Sequence, residues 1–176
     1  MDELTLVRPA PEWADEIAAY RAEFPAERMQ VTPDPERIPG LDCLEEYGGD
    51  VSAWLRFCAS QRGRIDWFLT VRTGDRRLVG CCCLRRRLEY DDDDGDFASH
   101  IGYSIRPSER RKGYAKAQLR LVLKKARELG MERVRLICRD LNTASARTIL
   151  ACGGRYLDTI HGEESGLTVN RYDIPL

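Results

Sequence analysis

The sequence holds only two histidines, His100 and His161, and its seven cysteines include no C-x-x-C pair, so the ligand spacing of a zinc finger or ribbon is missing. No metal site is expected. Nor does any apolar run approach the ~18 residues of a membrane span, and the opening Met-Asp-Glu is unlike the basic, then apolar, start of a secretory signal. The formal charge is only −1, which removes bulk attraction to nucleic acid or to an acidic membrane surface. No internal repeat and no linker divides the chain. At 176 residues, 43% of them apolar, it has the length and the material for one core, so a single domain over 1–176 is expected. Cysteines that are odd in number, three of them consecutive, point to free thiols and to the cytoplasm.

What is present centres on one basic turn. The strand-like run that ends at Ser104-Ile105 gives way to Arg106-Pro107-Ser108-Glu109-Arg110-Arg111-Lys112-Gly113-Tyr114-Ala115. From Tyr114 to Leu129, Ala115, Leu119, Val122, Leu123 and Ala126 recur at helical spacing with charged residues between them, the pattern of a helix with one face on a core. The first turn of such a helix has backbone N–H groups without intrahelical partners, and these add to the positive end of the helix dipole. A phosphate suits that position. Gly113 lets the chain bend tightly and lets a bulky anion reach the backbone, while Arg106, Arg110, Arg111, Lys112 and Lys116 face Glu109 as the sole local acid. A nucleotide P-loop fits worse, because Lys112-Gly113 lacks both the earlier glycine and the following hydroxyl.

Arg110-Arg111-Lys112-Gly113-Tyr114-Ala115 resembles the R/Q-x-x-G-x-G/A pyrophosphate signature of the GCN5-related N-acetyltransferases, the GNAT family, with Ala115 in place of the commoner last glycine. A second stretch is similar to the same family: after Arg133-Val134-Arg135-Leu136-Ile137-Cys138 come Asn142-Thr143-Ala144-Ser145, a short helix to Cys152, and Gly153-Gly154-Arg155-Tyr156. The likeness spans about residues 65 to 176. It implies an α/β (α+β) fold, a mixed and mainly antiparallel sheet flanked by helices in the order β-α-α-β-β-β-α-β-α-β, with the fourth and fifth strands splayed apart at the cofactor. It also implies acetyl-CoA as donor, an amine as acceptor, and a homodimer as an allowed assembly. Arg110, Arg111, Lys112, Gly113, Tyr114 and Ala115 would hold the pyrophosphate, and Asn142 and Ser145 would touch the pantetheine arm. The alternative is a catalytically silent acyl-CoA-binding sensor of the same fold.

The rest of the chain fits that order. Leu4 to Arg8 reads as a strand, Pro11 to Phe24 as a helix with proline in its first turn, and Val51 to Gln61 as a helix capped by Asp50. Residues 25–49, rich in Pro, Gly and acids, read as an irregular stretch that would cover the acceptor. Strands are expected over Ile65 to Arg72 and Arg77 to Leu88, the second carrying Cys81-Cys82-Cys83. Adjacent side chains on a strand point to opposite faces, so these thiols cannot converge on one ion and read as small buried apolar groups. Asp91 to Asp94 and Asp96, with Glu89, form either a solvated loop or an acidic rim that would attract a cationic amine.

Acetyl transfer sets further requirements. An alkylamine near pKa ~10 must lose a proton before it can attack a thioester. His100 is the first candidate base, with Asp96, Tyr103 and Glu163 behind it. The developing oxyanion needs a fixed donor, which the resemblance assigns to the backbone N–H of Ile105. The family's leaving-group tyrosine, seven residues after the motif asparagine, falls here on Ile149.

Overall fold

Two adjacent runs of β-branched, aromatic and cysteine residues, β2 (Ile65–Arg72) and β3 (Arg77–Arg85), form the buried central hairpin of the protein. The computed structural model describes residues 2–24, 38–42, 44–88, 97–162 and 166–176. Around the hairpin, β1 (Leu4–Val7) pairs with β2 and β4 (Ile101–Ile105) with β3, giving a four-stranded antiparallel sheet in the order β1-β2-β3-β4. A second antiparallel sheet, in the order β5-β7-β6, contains β5 (Arg133–Arg139), β6 (Arg155–His161) and β7 (Thr168–Pro175).

The expected order ended on one strand after the last helix; the structure has two there. Gly166 donates to the Gly162 carbonyl at 2.9 Å and Gly162 to the Leu167 carbonyl at 2.8 Å, which reverses the chain and inserts β7 between β5 and β6. β3 also ends at Arg85, short of Leu88.

Helices cover both faces of the first sheet. A 3-10 turn at Pro11–Trp13 leads into α1 (Ala14–Ala22), and α2 (Val51–Ser60) starts where the Asp50 carboxylate accepts the Ala53 N–H at 3.1 Å. Both pack on the face that carries Cys81 and Cys83, with Ile17, Tyr20 and Trp54 fully buried between them. The opposite face carries Cys82 and is covered by α3 (Tyr114–Glu128) through Leu119, Val122 and Leu123, while α4 (Thr143–Ala151) packs on α3 and β5 and adds Ile149 to the same core. Consecutive cysteines therefore serve two cores, as strand alternation requires. Burial pushes the Cys82 thiol up to about 12, and all six described cysteines are free thiols. Cys43 lies outside the described residues.

Part of the irregular stretch before α2 is core. Ile38, Leu41 and Leu44 are buried, and Gly40, with φ +89°, lies so close to β3 that a Cβ there would run into the Cys81 carbonyl. Asp42 anchors this segment, accepting the Cys83 thiol at 2.9 Å and an Arg85 N–H at 3.3 Å. Residues 25–37 of the expected cover, and the acidic run at 89–96, lie outside the described residues. Among the described residues no helix is long and apolar enough to cross a membrane, and no cluster of three or more His, Cys, Asp or Glu could hold a metal ion.

Candidate functional site

The two sheets meet at β4 and β5 but do not merge. β4 is an end strand, and its pairing with β3 fixes which of its backbone groups are spent. The Arg85 N–H donates to the His100 carbonyl at 2.7 Å and the Arg106 N–H to the Val79 carbonyl at 2.9 Å. Antiparallel alternation then turns the N–H and C=O of Ile101, Tyr103 and Ile105 away from β3, toward the space before β5. The Ile105 N–H thus lies on an open edge, at the end where the chain leaves the strand.

His100 closes the other end of this gap. Its backbone N–H donates to the Arg135 carbonyl at 2.9 Å, and its imidazole Nδ1 accepts the Arg135 N–H at 2.8 Å. Burial lowers its pKa to about 4, so the ring is neutral near pH 7. With Nδ1 used as the acceptor, a neutral ring carries its proton on Nε2 and has no lone pair left for a substrate. Five residues along a strand also put His100 roughly 16 Å from Ile105. The expectation of His100 as general base is corrected on both counts: it rivets the sheets together. Two of the other candidates, Asp96 and Glu163, lie outside the described residues.

Beyond Ile105 the chain makes a 3-10 turn at Pro107–Glu109 and passes twice through the left-handed region, at Arg111 (φ 65°) and at Gly113 (φ 86°), before α3 begins. For arginine that conformation costs on the order of 1 kcal/mol, a strain the surrounding contacts must hold in place. The N–H of Arg110 is taken by the Pro107 carbonyl at 3.3 Å. Those of Arg111, Lys112, Gly113, Tyr114, Ala115 and Lys116 have no acceptor among the described residues. Six consecutive amides, three before α3 and three in its first turn, are therefore without an acceptor, the kind of groups an anion satisfies at a helix N-terminus.

The cations around the turn divide by role. Arg106 does not face solvent: it is 2% exposed and bonds Glu23 at 2.5 Å, Glu16 at 3.0 Å and the Leu78 carbonyl at 3.2 Å. Its inclusion among the phosphate-facing cations is corrected accordingly, since its charge is consumed by two carboxylates on and just after α1. Arg110 folds back, donating Nε to the Ile105 carbonyl at 3.2 Å with its guanidinium 5.3 Å from the centre of the Phe24 ring. Lys112 bonds Glu109 at 2.8 Å. Glu109, 6% exposed, also receives Arg72 at 3.1 Å, and Arg72 bonds the Tyr114 hydroxyl at 3.0 Å. Arg111 and Lys116 are exposed beside the row of amides. Glu16, Glu23, Arg72 and Glu109 were not legible as site residues, because their partners lie tens of positions away and no local pattern marks them.

Across the gap, Asn142 caps α4: its Oδ1 accepts the Ser145 N–H at 3.0 Å, worth about 1 kcal/mol to such a helix. The Ser145 hydroxyl meets the Tyr103 hydroxyl at 2.9 Å, so a side chain of β4 reaches α4 over the opening between the sheets. Ile149, at the position of the family's tyrosine, is fully buried. Ile105 and Tyr103 thus share the outer strand of the first sheet, the 110–115 turn follows that strand, Ser145 and Asn142 meet it from α4, and His100 stands at the strand's other end.

Residues 3–155 match the acetyltransferase (GNAT) domain family. No curated protein matches the sequence. Among solved structures, the fold is similar to that of the microcin C7 self-immunity acetyltransferase MccE, solved with acetyl-CoA and AMP, at 16% identity and TM-score 0.73 over 100% of this chain and 94% of that one. It is also similar to RimL, a ribosomal L7/L12 α-N-protein acetyltransferase in complex with coenzyme A, at 15% identity and TM-score 0.72 over 98% and 94% of the two chains. A third is the Salmonella typhimurium acetyltransferase that modifies the N-terminal serine of L7/L12, at 17% identity and TM-score 0.73 over 98% and 95%. At these identities the likeness to solved structures is one of fold.

Proposed function

Because the chain belongs to the GNAT acetyltransferase family, we propose that it transfers the acetyl group of acetyl-CoA to a primary amine by direct attack on the thioester. The observation that carries this reading is the row of partnerless amides from Arg111 to Lys116, set at the end of a strand whose outer edge is open. Acetyl-CoA is the donor in this family. Its pyrophosphate would take the amides of Arg111, Lys112, Gly113, Tyr114 and Ala115, with Arg110 fixing the turn from behind through Ile105. The pantetheine arm would run along the edge of β4 toward Asn142 and Ser145.

In the reaction the amine nitrogen forms a bond to the carbonyl carbon, the C–S bond breaks, coenzyme A leaves as the thiolate, and the ammonium proton passes to a base or to water. The edge N–H of Ile105 is the donor suited to the oxyanion, because a fixed amide needs no reorganisation as charge develops. His100 takes no part in deprotonating the amine.

Isothermal titration with acetyl-CoA tests the reading. The wild type is expected to bind, and Arg110→Ala with Gly113→Glu is expected to abolish binding, since a glutamate puts both bulk and negative charge among those amides. Unchanged affinity would refute the site. One observation favours a second reading, a catalytically silent acyl-CoA sensor: the position of the family's tyrosine is a buried isoleucine. Thiol release from acetyl-CoA across a panel of amines separates the two, because a sensor binds without turnover.

A further inference from the structure

A thioester cannot be cleaved efficiently unless its departing thiolate is protonated or strongly hydrogen-bonded, and Ile149 offers neither. Its side chain is 0% exposed and packs with Leu119, Leu136 and Ile174 in the core beneath α3 and α4. The donor has to be another residue.

Resting on the acyl-CoA reading above, we propose that Tyr103, from β4, is the catalytic residue that donates a hydrogen bond to the departing coenzyme A thiolate, with Ser145 of α4 as its positioning residue. Three observations converge. First, Tyr103 stands on the strand whose outward backbone edge lines the opening, two residues before Ile105, so a thioester held at the Ile105 N–H lies within reach of its ring. Secondly, while its ring packs against the core under α3 and α4, its hydroxyl reaches Ser145 at 2.9 Å, in the first turn of α4, next to the asparagine that caps that helix. Thirdly, the serine can act as the donor in that pair. Ser145 O–H then points at the Tyr103 oxygen, so that bond does not use the tyrosine proton, and a sulfur would compete for it only with the neighbouring Thr148 hydroxyl.

The environment suits a donor that must not ionise. Burial raises the Tyr103 phenol well above its ordinary value, opposed in part by Ser145, so it stays protonated through the neutral range. When the C–S bond breaks, the electron pair goes to sulfur. The tyrosine hydrogen bond stabilises that charge, and proton transfer from Tyr103 or from solvent completes coenzyme A.

The test reads the acidity of bound thiol, so it needs no acceptor. Affinities of coenzyme A and of S-methyl-coenzyme A, which has no thiol proton, are measured by isothermal titration from pH 7 to pH 9.5 for the wild type and for Tyr103→Phe, with thermal melting as a check on folding. A hydrogen bond to the thiolate lowers the thiol pKa in the complex. Coenzyme A affinity should therefore rise about three- to tenfold with pH in the wild type, because each unit of lowering amounts to a tenfold gain once the thiolate dominates. S-methyl-coenzyme A should show no such rise, and Tyr103→Phe should remove it while affinity at pH 7 changes little. A rise that survives in Tyr103→Phe, or that never occurs in a wild type that binds both ligands, overturns the assignment and leaves the acyl-CoA reading standing. Failure of the wild type to bind either ligand overturns that reading and the assignment with it. If Tyr103→Phe does not fold, Ser145→Ala is used instead: a smaller rise supports the pair, and an unaltered one counts against it.

Discussion

The imidazole of His100 accepts the backbone N–H of Arg135 at 2.8 Å, while the His100 N–H donates to the carbonyl of the same residue at 2.9 Å, a two-point clasp between β4 and β5 at the closed end of the opening. Burial of the ring makes stability depend on pH. The ring's folded pKa is held at about 4 by burial, below its ordinary 6.5, so the unfolded chain takes up a proton that the folded chain refuses. The contribution is complete above pH 6.5 and is lost as pH falls from there toward 4. Melting temperature is expected to drop over that window in the wild type. His100→Asn, whose side-chain oxygen can still accept the Arg135 N–H, should show a shallower drop. An identical pH slope in the two proteins would remove the clasp from the account.

Glu109 governs the turn. One buried carboxylate meets Arg72 at 3.1 Å, Lys112 at 2.8 Å and Arg77 at 3.8 Å, tying the segment before α3 to β2 and β3. Glu109→Gln keeps the shape and leaves three cations facing a neutral amide; because Lys112 and Arg77 are partly exposed and screened, it should destabilise the fold by roughly 1 kcal/mol. Despite the desolvation that opposes it, the Glu109 pKa is lowered by Lys112 and Arg72. Its stabilising contribution is present above the ordinary carboxylate range and fades as pH falls below it. Acid titration of stability should accordingly be flatter in Glu109→Gln than in the wild type. Denaturant melts at pH 7 and pH 3 measure both effects, and equal losses at the two pH values would contradict the pairing.

How much of this was written locally in the chain follows from the range of each interaction. α3 was legible because its apolar spacing lies within one element and Gly113 marks its start. Asp50 and Asn142 were legible as caps because a cap bonds a residue three positions on. The three cysteines were legible as core because alternation on a strand needs no partner to be known. Arg106 was misread, since the glutamates that absorb its charge lie 83 and 90 positions earlier. His100 was misread for the same reason, because the amide that occupies its ring nitrogen belongs to a strand in the other sheet. Charge and titratable type are visible in a sequence, whereas the partner that decides their use is a product of the fold.

The buried isoleucine provides the sharpest test of whether this chain follows its family's usual arrangement. Ile149 fills a site with no room to spare: a Cβ on Gly154 would come within 2.5 Å of its Cγ2, and the side chain is sealed from solvent. Ile149→Tyr would add a ring to a full core, at roughly 1–3 kcal/mol, and would bury a hydroxyl beside Leu119 and Leu136 with no partner, at roughly 1–3 kcal/mol more. Restoring the family residue is therefore expected to lower the melting temperature by several degrees and to leave thiol release from acetyl-CoA no faster. The opposite outcome, a folded variant with faster release, would mean that the tyrosine's ordinary route to the sulfur is still open from α4. The hydroxyl bridge between Tyr103 and Ser145 would then serve packing alone.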